Sequence, residues 1–173
     1  MSSNRYNKKI LFYFLTSFII TLDQISKVII SKTVTYGTIL VIIPRILDFT
    51  VVYNYGAAFS ILNQQTFILK YISLIASTLL AIVLFSKNNK TILEYLGLAF
   101  LLGGTVGNGI DRWLYGYVID FIELKFINFP IFNLADISIN FGVVFFIINF
   151  LYNKYLNNSR SNTFLTREKR GKI

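Results

Sequence analysis

The chain has 173 residues, of which 54% are hydrophobic and only 14% charged, with a formal net charge of +9. That balance is too apolar for an ordinary soluble domain, and the length admits only a few membrane spans, so an integral membrane protein is expected. Cysteine and histidine are both absent. This excludes disulfides, Cys/His and Ser/His/Asp nucleophilic catalysis and the usual zinc sites, leaving carboxylates, lysine or hydroxyls for any hydrolytic chemistry. No metal and no other cofactor is expected.

Met1 to Lys9 is short and basic, and Ile10 to Leu22 is an almost unbroken apolar run that Ile25, Val28, Ile29 and Ile30 continue past Asp23. The pattern is close to a secretory signal. No small-x-small cleavage site follows, however, and Asp23 and Lys27 within the run fit a retained first span over about 10–30. Residues 33–52 are rich in β-branched types, broken by Gly37 and Pro44-Arg45, and predict short strands outside the bilayer. NYGAAFS, residues 54–60, predicts a small-residue turn or short helix.

Further spans are expected over 67–85, 91–113 and 137–156, each about long enough for a ~30 Å hydrocarbon core. The polar loop SKNNK, residues 86–90, joins the second to the third, and 114–130 is expected to be a mixed loop. One membrane domain over 1–156 results, with 31–66 and 114–136 outside the bilayer and a basic tail over 157–173 that is expected to be mobile.

Eleven of the seventeen lysines and arginines fall on one side: Arg5, Lys8, Lys9, Lys87, Lys90, Lys154 and the five of the tail. Lys32, Arg45, Lys70, Arg112 and Lys125 fall on the other, and Lys27 lies within a span. By the positive-inside rule both termini are expected in the cytoplasm and the loops after the first and third spans outside. The basic charge therefore points to a membrane surface and lipids, with no nucleic-acid partner. Lys70 and Glu94, near span ends, are expected to snorkel to the interface.

The stretch from Gly103 to Asp136, GGTVGNGIDRWLYGYVIDFIELKFINFPIFNLAD, sets Asp111, Asp120, Glu123 and Asp136 beside membrane-grade apolar sequence. Ionisable groups there are costly to bury and mark a candidate site. Asp23 and Lys27, four apart on one helix face, can neutralise each other. Arg112 does not face the way Asp111 does and is expected to reach a loop carbonyl or a lipid phosphate, or to buttress the site from behind.

If Asp120 and Asp136 converge, repulsion in a poorly hydrated pocket splits their titration, leaving one protonated and one ionised near neutrality. An aspartyl protease uses such a pair. The ionised member takes a proton from attacking water, and the protonated one donates to the peptide carbonyl. Asn54, Asn108 and Asn133 are the neutral donors available to hold substrate or a developing oxyanion. Plainer readings stand beside these: an Asp23–Lys27 structural pair, glycines that only permit close helix packing, and Asp136 as a helix cap.

DQISK at 23–27, NYGAAF at 54–59, GGTVGNGIDR at 103–112, VIDF at 118–121 and FNLAD at 132–136 together resemble the lipoprotein signal peptidases, in the family's order and across the whole chain between first and fourth spans. The resemblance implies an all-α integral membrane fold of four transmembrane helices, with a small extracytoplasmic β-cradle and a short periplasmic-side helix. It implies catalytic aspartates at Asp120 and Asp136, with substrate-binding or supporting roles for Asp23, Lys27, Asn54, Gly56, Asn108, Asp111, Arg112, Asn133 and Ala135. The implied substrate is a bacterial prolipoprotein whose lipobox cysteine carries diacylglycerol, cut on the amino side of that cysteine in the cell membrane; separately, a monomer is expected. Ile137 stands where the family usually has serine, and Ser60 where glycine is frequent.

Other classes leave different traces. A transporter would carry polar residues in both membrane halves, often with repeated spans, and here the inner halves are nearly uncharged. A scaffold would make both aspartates dispensable. A GxGD-type intramembrane protease is disfavoured because GNGID has one residue too many, and a Ser/Lys dyad of Ser31 with Lys27 is disfavoured by Asp23 one turn back.

Overall fold

The computed structural model describes residues 2–56, 62, 64–86 and 90–170. In chain order these form α1 (Ser2–Thr33), β1 (Ile39–Ile43), β2 (Leu47–Asn54), α2 (Thr66–Phe85), α3 (Ile92–Leu114), β3 (Val118–Leu124) and α4 (Leu134–Arg170). Segments Ile10–Thr33, Thr66–Phe85 and Leu134–Leu156 are long and apolar enough to cross a membrane. The 23 residues of α3 have spanning length, but glycines, Asn108, Asp111 and Arg112 dilute its apolarity. Helix α4 continues to Arg170, through the stretch expected to be a mobile tail. Residues 57–60, where a short helix was expected, and Ser60 with them, lie outside the described residues.

Helix α3 is the centre of the bundle, packing on α1, α2 and α4. Its glycines make this possible, some facing α1 and others α4. A Cβ on Gly103 would sit 2.7 Å from Ile19 of α1, and one on Gly104 would overlap the Ala135 carbonyl oxygen of α4. Lower in the bundle, Gly97 of α3 meets Gly142 and Phe146 of α4 in the same way. Small residues let helix backbones approach where lipid supplies no hydrophobic drive. Phe12, stacked on Tyr95 at 4.8 Å between ring centroids, joins Leu84, Leu98, Ala99 and Leu102 in a core between α1, α2 and α3.

Helix α3 begins with a capping box: Thr91 accepts from the Glu94 amide, and the Glu94 side chain accepts from the Thr91 amide. Glu94 therefore closes its own helix end instead of snorkelling. Lys70 lies 5.9 Å from the centroid of the Trp113 ring, a cation–π arrangement between α2 and α3.

The strands form one antiparallel sheet in the order β1-β2-β3. The stretch 114–130, expected to be loop, thus contains a strand. VIDFIEL does not alternate in polarity, because its first five residues are all buried. The sheet is joined to α1 by a second core of Ile30, Val34, Val51, Ile119, Phe121 and Ile122. Val52 pairs with Asp120 and Asn54 with Val118, with a register shift between Phe49 and Val52. After β3 the chain turns back, and Phe132 pairs with Ile122. That return sets Asn133 and the start of α4 beside Asp120.

Candidate active site

The polar residues of α1, α3, β3 and α4 meet at one end of the bundle, and Asn108 divides them into two groups. On the α1 side, Lys27 lies between two carboxylates, 2.8 Å from Asp23 Oδ2 and 2.8 Å from Asp111 Oδ2. Its third contact is a hydrogen bond of 2.9 Å donated to Asn108 Oδ1. Asp23, Lys27 and Asp111 are 0%, 1% and 1% exposed. Backbone amides complete the group: Ala135 N–H donates to Asp23 Oδ1 at 2.9 Å and Ile119 N–H to Asp111 Oδ2 at 3.2 Å. Gly107 explains how Asp23 fits, since a Cβ there would lie 2.6 Å from Asp23 Oδ2.

On the other side of Asn108 lie Asp120 and Asp136, and no lysine or arginine forms an ion pair with either among the described residues. Their partners are neutral amides. Asn54, diagonal to Asp120 across the β2–β3 ladder, donates to Asp120 Oδ2 at 2.8 Å, and Asn133 Nδ2 donates to Oδ1 at 2.6 Å. Asn108 Nδ2 donates to Asp136 Oδ1 at 2.8 Å. Asn133 caps α4: its Oδ1 accepts from Asp136 N–H at 3.0 Å while Asp136 Oδ2 accepts from Asn133 N–H at 3.2 Å. The reciprocal pair has the form of a capping box, so the cap is Asn133 and Asp136 is its third-position partner. One residue thereby touches both carboxyl groups.

Asp120 is 2% exposed, and burial raises its pKa to about 7, helped by the negative charge of Asp136 and opposed by hydrogen bonds from Asn54 and Asn133. Both carboxyl groups line a cavity of about 990 Å³ between α2, α3, α4 and the sheet. One wall is apolar, with Leu69, Ile72 and Ala76 of α2 and Ile139 of α4. Arg112 also lines it, donating from Nη2 to the Gly56 carbonyl at 3.2 Å, while its Nε is buried without a hydrogen-bond partner among the described residues.

The residues expected from the sequence fall into this arrangement as follows. Asp23, Lys27, Asp111 and Ala135 belong to the lysine-centred group, and Asn54, Asn108, Asn133, Asp120 and Asp136 to the amide-bridged one. Arg112 and Gly56 tie α3 to the end of the β2 loop. Glu123 stands apart, half-buried toward the end of β3 and paired with Lys125 at 3.0 Å. Gln24 was not singled out, yet it bridges Asp111 Oδ1 at 3.0 Å and the Gly107 carbonyl at 3.1 Å. Its position inside DQISK was the available signal. Ser31 donates to its own helix at Val28 and does not approach Lys27 as a nucleophile would.

Three apolar helices of spanning length, a small sheet and a cavity lined by two carboxyl groups, Asp120 buried and Asp136 half-buried, neither in an ion pair among the described residues, define a helical membrane protein with a polar cavity at one end. The family model for signal peptidase (SPase) II matches residues 15–152. The chain is 47% identical over 125 residues to a lipoprotein signal peptidase of Synechocystis sp., covering 72% of this chain and 77% of that one. It is 40% identical over 131 residues to one from Parasynechococcus marenigrum, covering 76% and 82%. A solved bacterial membrane enzyme superimposes with a TM-score of 0.78 at 32% identity, covering 83% of this chain and 89% of that one. The chain belongs to the signal peptidase II family.

Proposed function

We propose that the protein is a membrane-embedded aspartyl endopeptidase that removes the signal peptide from diacylglyceryl-modified bacterial prolipoproteins, cutting on the amino side of the lipidated cysteine. The observation that carries this reading is the pairing of Asp120 and Asp136 in one cavity, bridged by Asn133 and free of any ion-pair partner among the described residues. Two carboxyl groups held by neutral amides can divide one proton, whereas a carboxylate bound to lysine cannot supply one.

In the proposed cycle the proton rests on Asp120, whose pKa, raised by burial to about 7, leaves a substantial protonated fraction at neutrality. Asp136, which accepts from Asn108 and the Asn133 amide, is the ionised member. It takes a proton from water as the oxygen attacks the scissile carbonyl, while Asp120 donates to the carbonyl oxygen. The tetrahedral intermediate then collapses, breaking the C–N bond, as the proton held by Asp136 passes to the departing amine and Asp120 recovers its own. Lys27, Asp23 and Asp111 support the pair by fixing Asn108, which faces Lys27 with its oxygen and Asp136 with its amide nitrogen. No step draws on a metal or cofactor.

Its 23-residue length supports α3 as a fourth, polar span, and the distribution of lysine and arginine supports cytoplasmic termini and a site near the outer surface of the bacterial cell membrane. The apolar wall between α2 and α4 suits the acyl chains of the lipidated cysteine. A monomer suffices, because all the site residues come from one chain. Purified protein tested on diacylglyceryl-modified and unmodified prolipoprotein is expected to cut only the modified form. Equal cleavage of both would contradict the assignment, and cleavage of neither by folded protein would end the peptidase reading.

A further inference from the structure

The cavity extends one helical turn below the carboxyl pair, and two polar side chains there have no hydrogen-bond partner among the described residues. Asn140 follows Asp136 by four residues on α4 and so faces the same way, while Thr105 precedes Asn108 by three on α3. Both line the cavity. Other hydroxyls of the bundle, those of Thr16, Ser73, Thr78 and Ser138, each donate to the carbonyl four residues back. Asn149, further along α4, accepts from Thr91 at 2.8 Å. Thr105 and Asn140 make no hydrogen bond among the described residues, although the neighbouring wall is made of Ile72, Ala76 and Ile139. Asn140 is exposed to the cavity and Thr105 half-buried within it, so both are free to pair with a bound ligand at a depth where polar groups are rare and mark substrate paths.

We propose that Asn140 and Thr105 form a polar ledge that hydrogen-bonds the backbone of the bound signal peptide, about two residues before the cut. This rests on the peptidase reading above and adds a subsite to it. Three to four helical residues at 1.5 Å each place the ledge about 5 Å below the carboxyl pair, which an extended chain at roughly 3.3 Å per residue covers in about one and a half to two residues. A signal peptide keeps its basic amino end in the cytoplasm, so the segment descending inward from an outer cut site is the signal-peptide side. Chemistry favours backbone over lipid: a carboxamide both donates and accepts, as a peptide group does, whereas the glycerol esters of the lipid only accept.

The test uses a fluorogenic lipidated prolipoprotein peptide and its analogue in which an ester oxygen replaces the backbone N–H two residues before the cut. Wild-type enzyme is expected to lose roughly five- to tenfold in kcat/KM on the analogue, mainly through KM. Asn140→Leu should lose a similar factor on the amide peptide and nothing further on the ester, with Thr105→Val showing a smaller loss. Binding of both peptides to Asp136→Asn enzyme, with and without Asn140→Leu, reads the same effect by fluorescence anisotropy without turnover. The ledge is overturned if both variants bind and cleave as wild type, or if their losses on amide and ester peptides multiply independently. Failure of folded wild-type enzyme to cut the amide peptide would instead overturn the peptidase reading, while anisotropy still decides the ledge. Thermal melts of each variant separate a binding loss from a folding one.

Discussion

Four aspartates lie within one polar layer of this molecule, and Asn108 separates them into two kinds. Asp23 and Asp111 share Lys27 at 2.8 Å each and accept backbone amides, so the positive charge and the hydrogen bonds fix them where they hold α1, α3, β3 and α4 together and steady Asn108 through Lys27. Asp120 and Asp136 are held by asparagines and open onto a cavity. In the proposed mechanism the same side-chain chemistry is structural in one place and reactive in the other, and the two places differ in whether a cation or a neutral amide faces the carboxyl group. A cation fixes the charged form, whereas amides orient a carboxyl group and leave its proton exchangeable.

Breaking the reactive side has the largest expected effect. Asp120→Asn and Asp136→Asn should each reduce the cleavage rate by on the order of 10⁴-fold, with helicity by circular dichroism unchanged. Retention of substantial activity by either variant would reassign the chemistry. The structural side should respond in the opposite sense. Lys27→Met leaves Asp23 and Asp111 buried without their cation and is expected to cost about 3–5 kcal/mol of stability, seen as a lowered melting temperature in detergent. A melting temperature equal to wild type would mean the two carboxylates find other partners.

The seam on which both groups depend can be loosened separately. Gly104→Ala drives a methyl group into the Ala135 carbonyl at the α3–α4 contact and should destabilise by about 1–3 kcal/mol, with a partial loss of activity as the pair is pushed apart. The finest effect concerns the proton. A carboxyl group whose native pKa is raised holds its proton more tightly than in the unfolded chain. Its contribution is therefore present at low pH and fades as pH rises from 3.8 toward about 7. Cleavage that needs Asp120 protonated should accordingly fall as pH rises through about 7. Asn54→Ala removes a hydrogen bond that lowers this pKa, so the alkaline limb should move to higher pH. A limb that stays in place or moves down would show that another group sets it.

Much of the site was legible because its residues sit in short blocks of unusual polarity within apolar sequence. DQISK, GNGIDR and FNLAD stand out for that reason, and the i, i+4 spacing of Asp23 and Lys27 predicted their contact. What the spacing could not give is that Lys27 reaches a second carboxylate on α3, which depends on how closely Gly103 and Gly107 let that helix approach α1. The strand around Asp120 was missed for a related reason. Its burial on both faces removes the alternation by which a half-buried strand is recognised. Asn140 and Thr105 drew no notice because a single amide or hydroxyl in a span has meaning only once its neighbours are known.

The sequence by itself determined that the chain lives in a membrane, where its apolar helices fall and which acids are too expensive to be incidental, since hydropathy and helix spacing are local properties. Only the tertiary structure decided which of those acids is neutralised and which is paired across neutral amides. That choice turns on contacts between residues as far apart as Lys27 and Asn108, or Asn54 and Asp120, which are set by helix packing and strand register and by nothing in their immediate neighbours along the chain.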